Sequence, residues 1–200
     1  MEGPPLVIVS GLPGTGKTRI AEGLGRRTGL PVFSVAWLLG ALSPWGVLER
    51  PDRGRLAYAL IGAQIEQQLR SGGGAIVDGM VGSAELRARW RGLAERFRAL
   101  FVVIECVCSD AKLHRRRLDE REESIPGWPS PDWDHAQEMR GRYAPWRGPR
   151  LVLDSVRPFA ENLAAATRYL EMELGAPSKR GGLGLGQLRG AFLGQLPSAL

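Results

Sequence analysis

The chain is expected to fold as an α/β protein, a parallel sheet with helices on both faces. Three observations carry that expectation. Short β-branched runs alternate with amphipathic helical stretches along the chain. Each run is nearly continuously apolar, as strands buried on both faces are. Several runs end in Ser-Gly, Asp-Gly or Asp-Ser, which are residues that turn a chain.

Taken in order, Leu6–Val9 reads as a buried strand running into a glycine-rich turn. Lys17–Thr28 follows as a helix with Ile20, Ala21 and Leu24 inward. Val32–Ser34 is a short second strand and Trp37–Leu42 a short helix. Two prolines and a glycine make Ser43–Asp52 a loop. Arg53–Arg70 is a helix in which Leu56, Ala59, Leu60, Ala63 and Ile65 recur at nearly helical spacing, and Ser71–Gly74 stops it. Ala75–Val77 is the third strand, ending in Asp78-Gly79. Ser83 is an N-cap for a helix to about Arg98, with Glu85 in its first turn. Phe101–Val107 is the strongest strand. Ser109 or Asp110 caps a helix from Ala111 to about Glu122. Pro126–Pro131 is a break, and Asp132–Arg142 is helical again. Leu151–Leu153 is the fifth strand, and Pro158–Leu174 the last helix, with Phe159, Leu163, Ala166 and Leu170 inward.

Composition bounds the function. The chain has 200 residues, 44% hydrophobic and 24% charged, enough for one globular core. The organisation expected is one domain over residues 1–175 and a disordered, basic, glycine-rich tail over 176–200. The longest nearly apolar runs, Phe33–Leu42 and Ala99–Val107, have about half the ~20 residues of a membrane span. No secretory signal is read at the N-terminus, and two cysteines make no disulfide framework, so a cytoplasmic setting is expected. The net charge is +6, and Lys179, Arg180 and Arg189 in the tail supply half of it. The rest is nearly balanced, so nucleic acid is not an expected partner.

The residues that carry chemistry start at Gly11. Gly11-Leu12-Pro13-Gly14-Thr15-Gly16-Lys17-Thr18 fits G-x-x-x-x-G-K-[ST] at every fixed position, with a strand before it and a helix after it. Gly14 and Gly16 let the backbone curl so that successive N–H groups converge on one anion. The helix N-terminus adds its dipole. Lys17 reaches β- and γ-phosphates, and the Thr18 hydroxyl suits Mg²⁺. Asp78, at the carboxyl end of a strand, is placed to hold the same ion. Asp154 also ends a strand and reads equally well as a turn or cap. Arg117 and Arg121 stand i, i+4 on one helix face and suit a triphosphate. A zinc site from Cys106, Cys108, His114 and His135 is discounted, because their spacing fits no usual set. Trp128, Trp133 and Trp146, and likewise Trp37 and Trp45, read either as walls of an acceptor pocket or as packing.

With these pieces in place, residues 5–174 resemble the small P-loop kinase-like proteins labelled AAA-domain ATP-binding proteins or predicted kinases. That group includes zeta toxins, chloramphenicol phosphotransferase, gluconate kinase and polynucleotide kinase. The matching pieces are residues 11–18, Ile-Val-Asp-Gly at 76–79, Glu-Leu-Arg at 85–87, Arg-Leu-x-x-Arg at 117–121, Tyr-x-Pro-Trp at 143–146 and Leu-Val-Leu-Asp-Ser at 151–155, with Glu161-Asn162 and Tyr169-Leu170. The resemblance implies a P-loop NTPase fold with a five-stranded parallel sheet of order 2-3-1-4-5 and an Arg-bearing lid. It implies ATP and Mg²⁺ as cofactors and γ-phosphoryl transfer to a small-molecule acceptor. It also implies that Ser155–Arg157 lies near the base of ATP, with Arg157 as a nucleotide contact. One departure stands out. Hydroxyl kinases of this group carry an Asp after the second strand, in a motif like Ser-x-Asp, whereas here the stretch is Ser34-Val35-Ala36, with no carboxylate from Pro31 to Val47. Two alternatives follow: a module that binds ATP, or hydrolyses it slowly, without transferring phosphate; and a nucleic-acid 5′-end kinase.

Overall fold

The computed structural model describes residues 3–120 and 125–175. Five strands form one sheet: β1 (Pro5–Gly11), β2 (Val32–Ser34), β3 (Ala75–Asp78), β4 (Leu100–Val107) and β5 (Leu151–Asp154). All neighbours pair parallel, in the order β2-β3-β1-β4-β5. The helices are α1 (Lys17–Thr28), α2 (Val35–Ala41), α3 (Arg53–Arg70), α4 (Ala84–Arg96), α5 (Ala111–Asp119), α6 (Trp133–Gly141) and α7 (Phe159–Glu173). This is the P-loop NTPase-type α/β fold that the sequence led one to expect, with the expected strand order. Among the described residues, no helix is long and apolar enough to cross a membrane.

The central strand shows why the sheet is covered on both faces. Successive strand side chains point to opposite faces. Val7 and Val9 pack with Ile20, Ala21 and Leu24 of α1 and Leu163, Ala166 and Leu170 of α7. Leu6 and Ile8 pack with Ile61, Ile65 and Leu69 of α3 and Trp90 and Ala94 of α4. Each such buried aliphatic contributes roughly 1.5–3 kcal/mol from leaving water. Ser83 caps α4 by accepting from the Leu86 amide at 3.1 Å, a bond worth about 1 kcal/mol. Of the two candidate caps for α5, Asp110 is the one used, accepting from the Lys112 and Leu113 amides.

Four expectations need correction. The inward face of α3 consists of Ala57, Ile61, Gly62, Ile65 and Leu69, while Leu60 is 41% exposed. Of the five apolar residues read from the sequence, only Ile65 is buried. Ala59, Leu60 and Ala63 put apolar residues on the exposed side as well, so spacing alone set its phase one residue off. α2 begins at Val35, directly after β2, and not at Trp37. The loop from Ser43 holds a 3₁₀ turn over Ser43–Trp45. α5 ends at Asp119, short of the expected end around Glu122, and the expected tail at 176–200 lies outside the described residues.

The topology places one crevice. The chain leaves β1 toward β2 on one side and leaves β3 toward β4 on the other, so the connections diverge between β1 and β3. Ligands of open α/β sheets bind at such a divergence, at the carboxyl ends of the strands. The turn at 11–18 and Asp78 both lie there.

Candidate functional site

The glycine-rich turn is built as its composition requires. Gly14 and Gly16 have φ of 78° and 83°, in the left-handed region that favours glycine, and Gly16 is the N-cap of α1. Gly14 has a second reason: a Cβ there would meet Leu118 Cδ2 at 2.9 Å and His114 Cδ2 at 3.0 Å. Thr15 is buried, and its hydroxyl donates to the Leu12 carbonyl at 2.8 Å, closing the turn from within. Lys17 Nζ reaches the same carbonyl at 3.5 Å.

Asp78 ends β3 and is 2% exposed. Its Oδ2 accepts from the Ser34 hydroxyl at 2.8 Å, while its Oδ1 is buried with no hydrogen-bond partner. A buried carboxylate oxygen left unsatisfied is costly and calls for a ligand. Ser34 is the N-cap residue of α2 but spends its hydroxyl on Asp78 and not on the helix. Ser34, in the segment that lacks a carboxylate, is thus bonded to the only carboxylate of β3.

A cavity of about 670 Å³ opens over the turn. It is lined by Gly14–Thr18, by Trp37 and Ile125, and by Arg157, Pro158 and Phe159. Arg19 lies over the Phe159 ring, 4.4 Å from its centroid. Arg117 lines the wall, and its guanidinium is engaged by Ser155: it donates to the Ser155 hydroxyl at 2.8 Å and to the Ser155 carbonyl at 2.9 Å. Arg117 therefore braces the loop after β5 and does not hang free above the turn. Arg121, its expected companion, lies outside the described residues. Cys106 also borders the cavity, but burial pushes its thiol up to about 12, which keeps it protonated and unreactive.

Asp154 is a turn residue. Its Oδ1 accepts from the Ser109 amide at 3.2 Å and the Val156 amide at 3.1 Å, joining the ends of β4 and β5. Burial raises its carboxyl pKa, but these bonds and the Arg117 charge outweigh it and hold the group below its ordinary value. The tryptophans divide. Trp133 packs edge-on against His114, Trp128 packs beside Leu39 and Val47, and Trp146 is buried against α4. Trp37 is 47% exposed and faces the cavity, whereas Trp45 is 74% exposed and lies outside its lining.

Two sets of contacts are not legible in the sequence. Arg87 joins the loop after β3 to the segment after α6, donating to the carbonyl of Val81 in the one and to those of Ala144 and Pro145 in the other, with its guanidinium 4.0 Å from the centroid of the Trp146 ring. Tyr143 of that segment bonds Ser10 at 3.0 Å and accepts from the Trp146 indole. The matched pieces Glu-Leu-Arg and Tyr-x-Pro-Trp, far apart in sequence, are thus two halves of one clasp. The other set is made by His114, whose ring lies behind the turn.

Comparison with known proteins agrees with this fold. The AAA domain family matches residues 6–145, and the chain belongs to that family. A search among curated proteins returns no match. Among solved structures, a sugar kinase from Janibacter sp. HTCC2649, unliganded, is 17% identical, with a TM-score of 0.65 over 88% of this chain and 99% of that one. Kti12 of Chaetomium thermophilum, in complex with ADP-AlF3, is 20% identical, with a TM-score of 0.64 over 88% of this chain and 100% of that one. The APS kinase CysC of Mycobacterium tuberculosis, in complex with AMPPNP and APS, is 19% identical, with a TM-score of 0.55 over 84% of this chain and 99% of that one. At these identities the likeness is one of fold.

Proposed function

We propose that this chain binds MgATP on the turn at 11–18 and transfers the γ-phosphoryl group to a hydroxyl of a small-molecule acceptor. One observation carries the reading: the Lys- and Thr-bearing turn shares the β1/β3 crevice with a buried carboxylate whose Oδ1 has no partner. The nucleotide analogues bound to Kti12 and to the APS kinase support a nucleotide here.

The amides of Gly14–Thr18 would cradle the phosphates, with Gly11, Leu12 and Pro13 shaping the turn that aims them. Lys17 stabilises charge that develops between the β- and γ-phosphates. Two oxygen donors, Thr18 Oγ1 and the orphaned Asp78 Oδ1, suit a hard cation, so Mg²⁺ is assigned to them. Bound there, Mg²⁺ would neutralise part of the phosphate charge. Arg117, through Ser155, and Arg157 define the end of the cavity that takes the base. Arg121 keeps its assignment as a second cation for the triphosphate.

In the transfer, an O–P bond forms from the acceptor hydroxyl to the γ-phosphorus and the bridging P–O bond breaks, its electron pair leaving with ADP. The acceptor proton passes to Ser34 Oγ as the Ser34 proton moves to Asp78 Oδ2, along the 2.8 Å bond already present. A cytoplasmic setting fits the need for ATP.

The test is single-turnover consumption of γ-labelled ATP with Mg²⁺, with and without small alcohols, sugars, nucleosides and 5′-hydroxyl oligonucleotides. Label is expected on a small acceptor. Label on the oligonucleotides alone would favour the end-kinase reading. Tight ATP binding with label released only as slow phosphate would favour the binding-module reading, for which the carboxylate-free stretch from Pro31 to Val47 argues.

A further inference from the structure

Behind the phosphate-binding turn, α5 presents three residues of one face to two loops. His114 and Leu118 abut Gly14, and Arg117 between them holds Ser155. His114 is 1% exposed, and its Nε2 lies 2.6 Å from the Pro13 carbonyl oxygen. A carbonyl can only accept, so Nε2 carries the proton. The ring packs T-shaped with the Trp133 ring, 5.5 Å between centroids, and its Nδ1 is buried with no partner. The ring is thus fixed by packing and makes a single hydrogen bond, directed into the turn.

We propose that His114 is a positioning residue for the nucleotide. It holds the Pro13 carbonyl outward, toward α5, so that the amides that follow stay turned toward the phosphates. The argument is electrostatic. A carbonyl rotated into the cradle would set its negative end against an anion. The Nε2–H bond gives that carbonyl a partner on the far side and removes the alternative. Because the same helix face carries Arg117, α5 is a strut that ties the phosphate end of the cavity to the base end. The inference rests on nucleotide binding as proposed above.

Three variants test it. His114→Phe keeps the ring and its contact with Trp133 but deletes the donor. His114→Gln restores a donor of similar reach. Trp133→Leu loosens the packing and leaves the hydrogen bond in place. Affinity for ATP with Mg²⁺ is measured by calorimetry, and the urea midpoint without nucleotide is measured beside it. His114→Phe is expected to weaken ATP binding about tenfold, the worth of one buried hydrogen bond. His114→Gln should recover most of that loss, and Trp133→Leu should lower the urea midpoint with affinity unchanged. Unchanged affinity in His114→Phe, or an equal loss in Trp133→Leu, would overturn the proposal. Imidazole ¹⁵N shifts in the wild-type chain give a check independent of nucleotide. The Nε2–H tautomer is expected, and the Nδ1–H tautomer would overturn the proposal even where a variant fails to fold. A wild-type chain with the expected tautomer but no affinity for ATP would instead bring down the functional reading beneath it.

Discussion

The phosphate-binding part and the acceptor part of the site are made in different ways. The phosphate end comes from one contiguous segment, residues 11–18, buttressed from behind by His114 and Leu118. The opposite end, past Trp37 and Ile125, adjoins a stretch with no charged side chain from Pro31 to Val47, where Ser34 borrows its chemistry from Asp78 on the neighbouring strand. The first end carries Lys17; the second is apolar, with Trp37 half exposed. A site divided in this way can keep its grip on a triphosphate while the acceptor end varies, and substitutions at the two ends should separate binding from transfer.

The largest effect is expected from Lys17→Ala. Removing the cation that faces the transferring group should cost about 10²- to 10³-fold in single-turnover rate. A rate near that of the wild type would erase the contrast between the ends, because the cationic end would then contribute nothing special. Gly14→Ala should follow. Alanine at φ 78° is strained by about 1–3 kcal/mol, and its Cβ meets Leu118 and His114 at 2.9 and 3.0 Å. Lower ATP affinity and a lower unfolding midpoint are expected together, read by calorimetry and urea titration.

The opposite end should respond in the other sense. Ser34→Ala removes the hydroxyl that bonds Asp78 Oδ2 but touches nothing in the turn. Turnover with an acceptor should fall by about tenfold or more, toward the lower range for a lost proton-transfer group, with ATP affinity unchanged. Equal losses in both quantities would mean that Ser34 only orients Asp78 for the cation, and the proton route would be abandoned.

What the sequence made legible follows the same division. The turn could be read because its residues are adjacent and each type has a local reason: glycine for positive φ, lysine and threonine for phosphate and cation. Asp78 could be read because a strand end is a local feature. The Arg87 clasp on Tyr143 and Trp146, and the reach of His114 to Pro13, join residues separated by dozens of positions. No short pattern announces such contacts. His114 was weighed only as a metal ligand, since a lone histidine carries no sign of the carbonyl it will meet. The bond from Arg117 to Ser155 is equally illegible, because spacing on a helix does not say which loop folds beneath it. The phase of α3 failed for a physical reason too: Leu60 is apolar and exposed, so the pattern offered two faces.

The smallest expected effect sharpens the contrast through pH. Asp154 joins the β4 and β5 ends at the nucleotide side, and its carboxyl is held below the ordinary value: burial acts upward, and the Ser109 and Val156 amides with the Arg117 charge act downward and prevail. A carboxyl whose pKa is lower folded than unfolded stabilises the fold fully above its unfolded value of about 3.9. That contribution is lost as pH falls through the folded value. Asp154→Asn should therefore lower the urea midpoint slightly at pH 7, and the gap from wild type should close as pH drops below about 4. The group is partly open to solvent, so the gap should also narrow in high salt to the extent that Arg117 contributes. A gap that persists unchanged in acid would mean that the difference comes from the fit of the amide group and not from charge, so that the nucleotide end owes nothing to this charge.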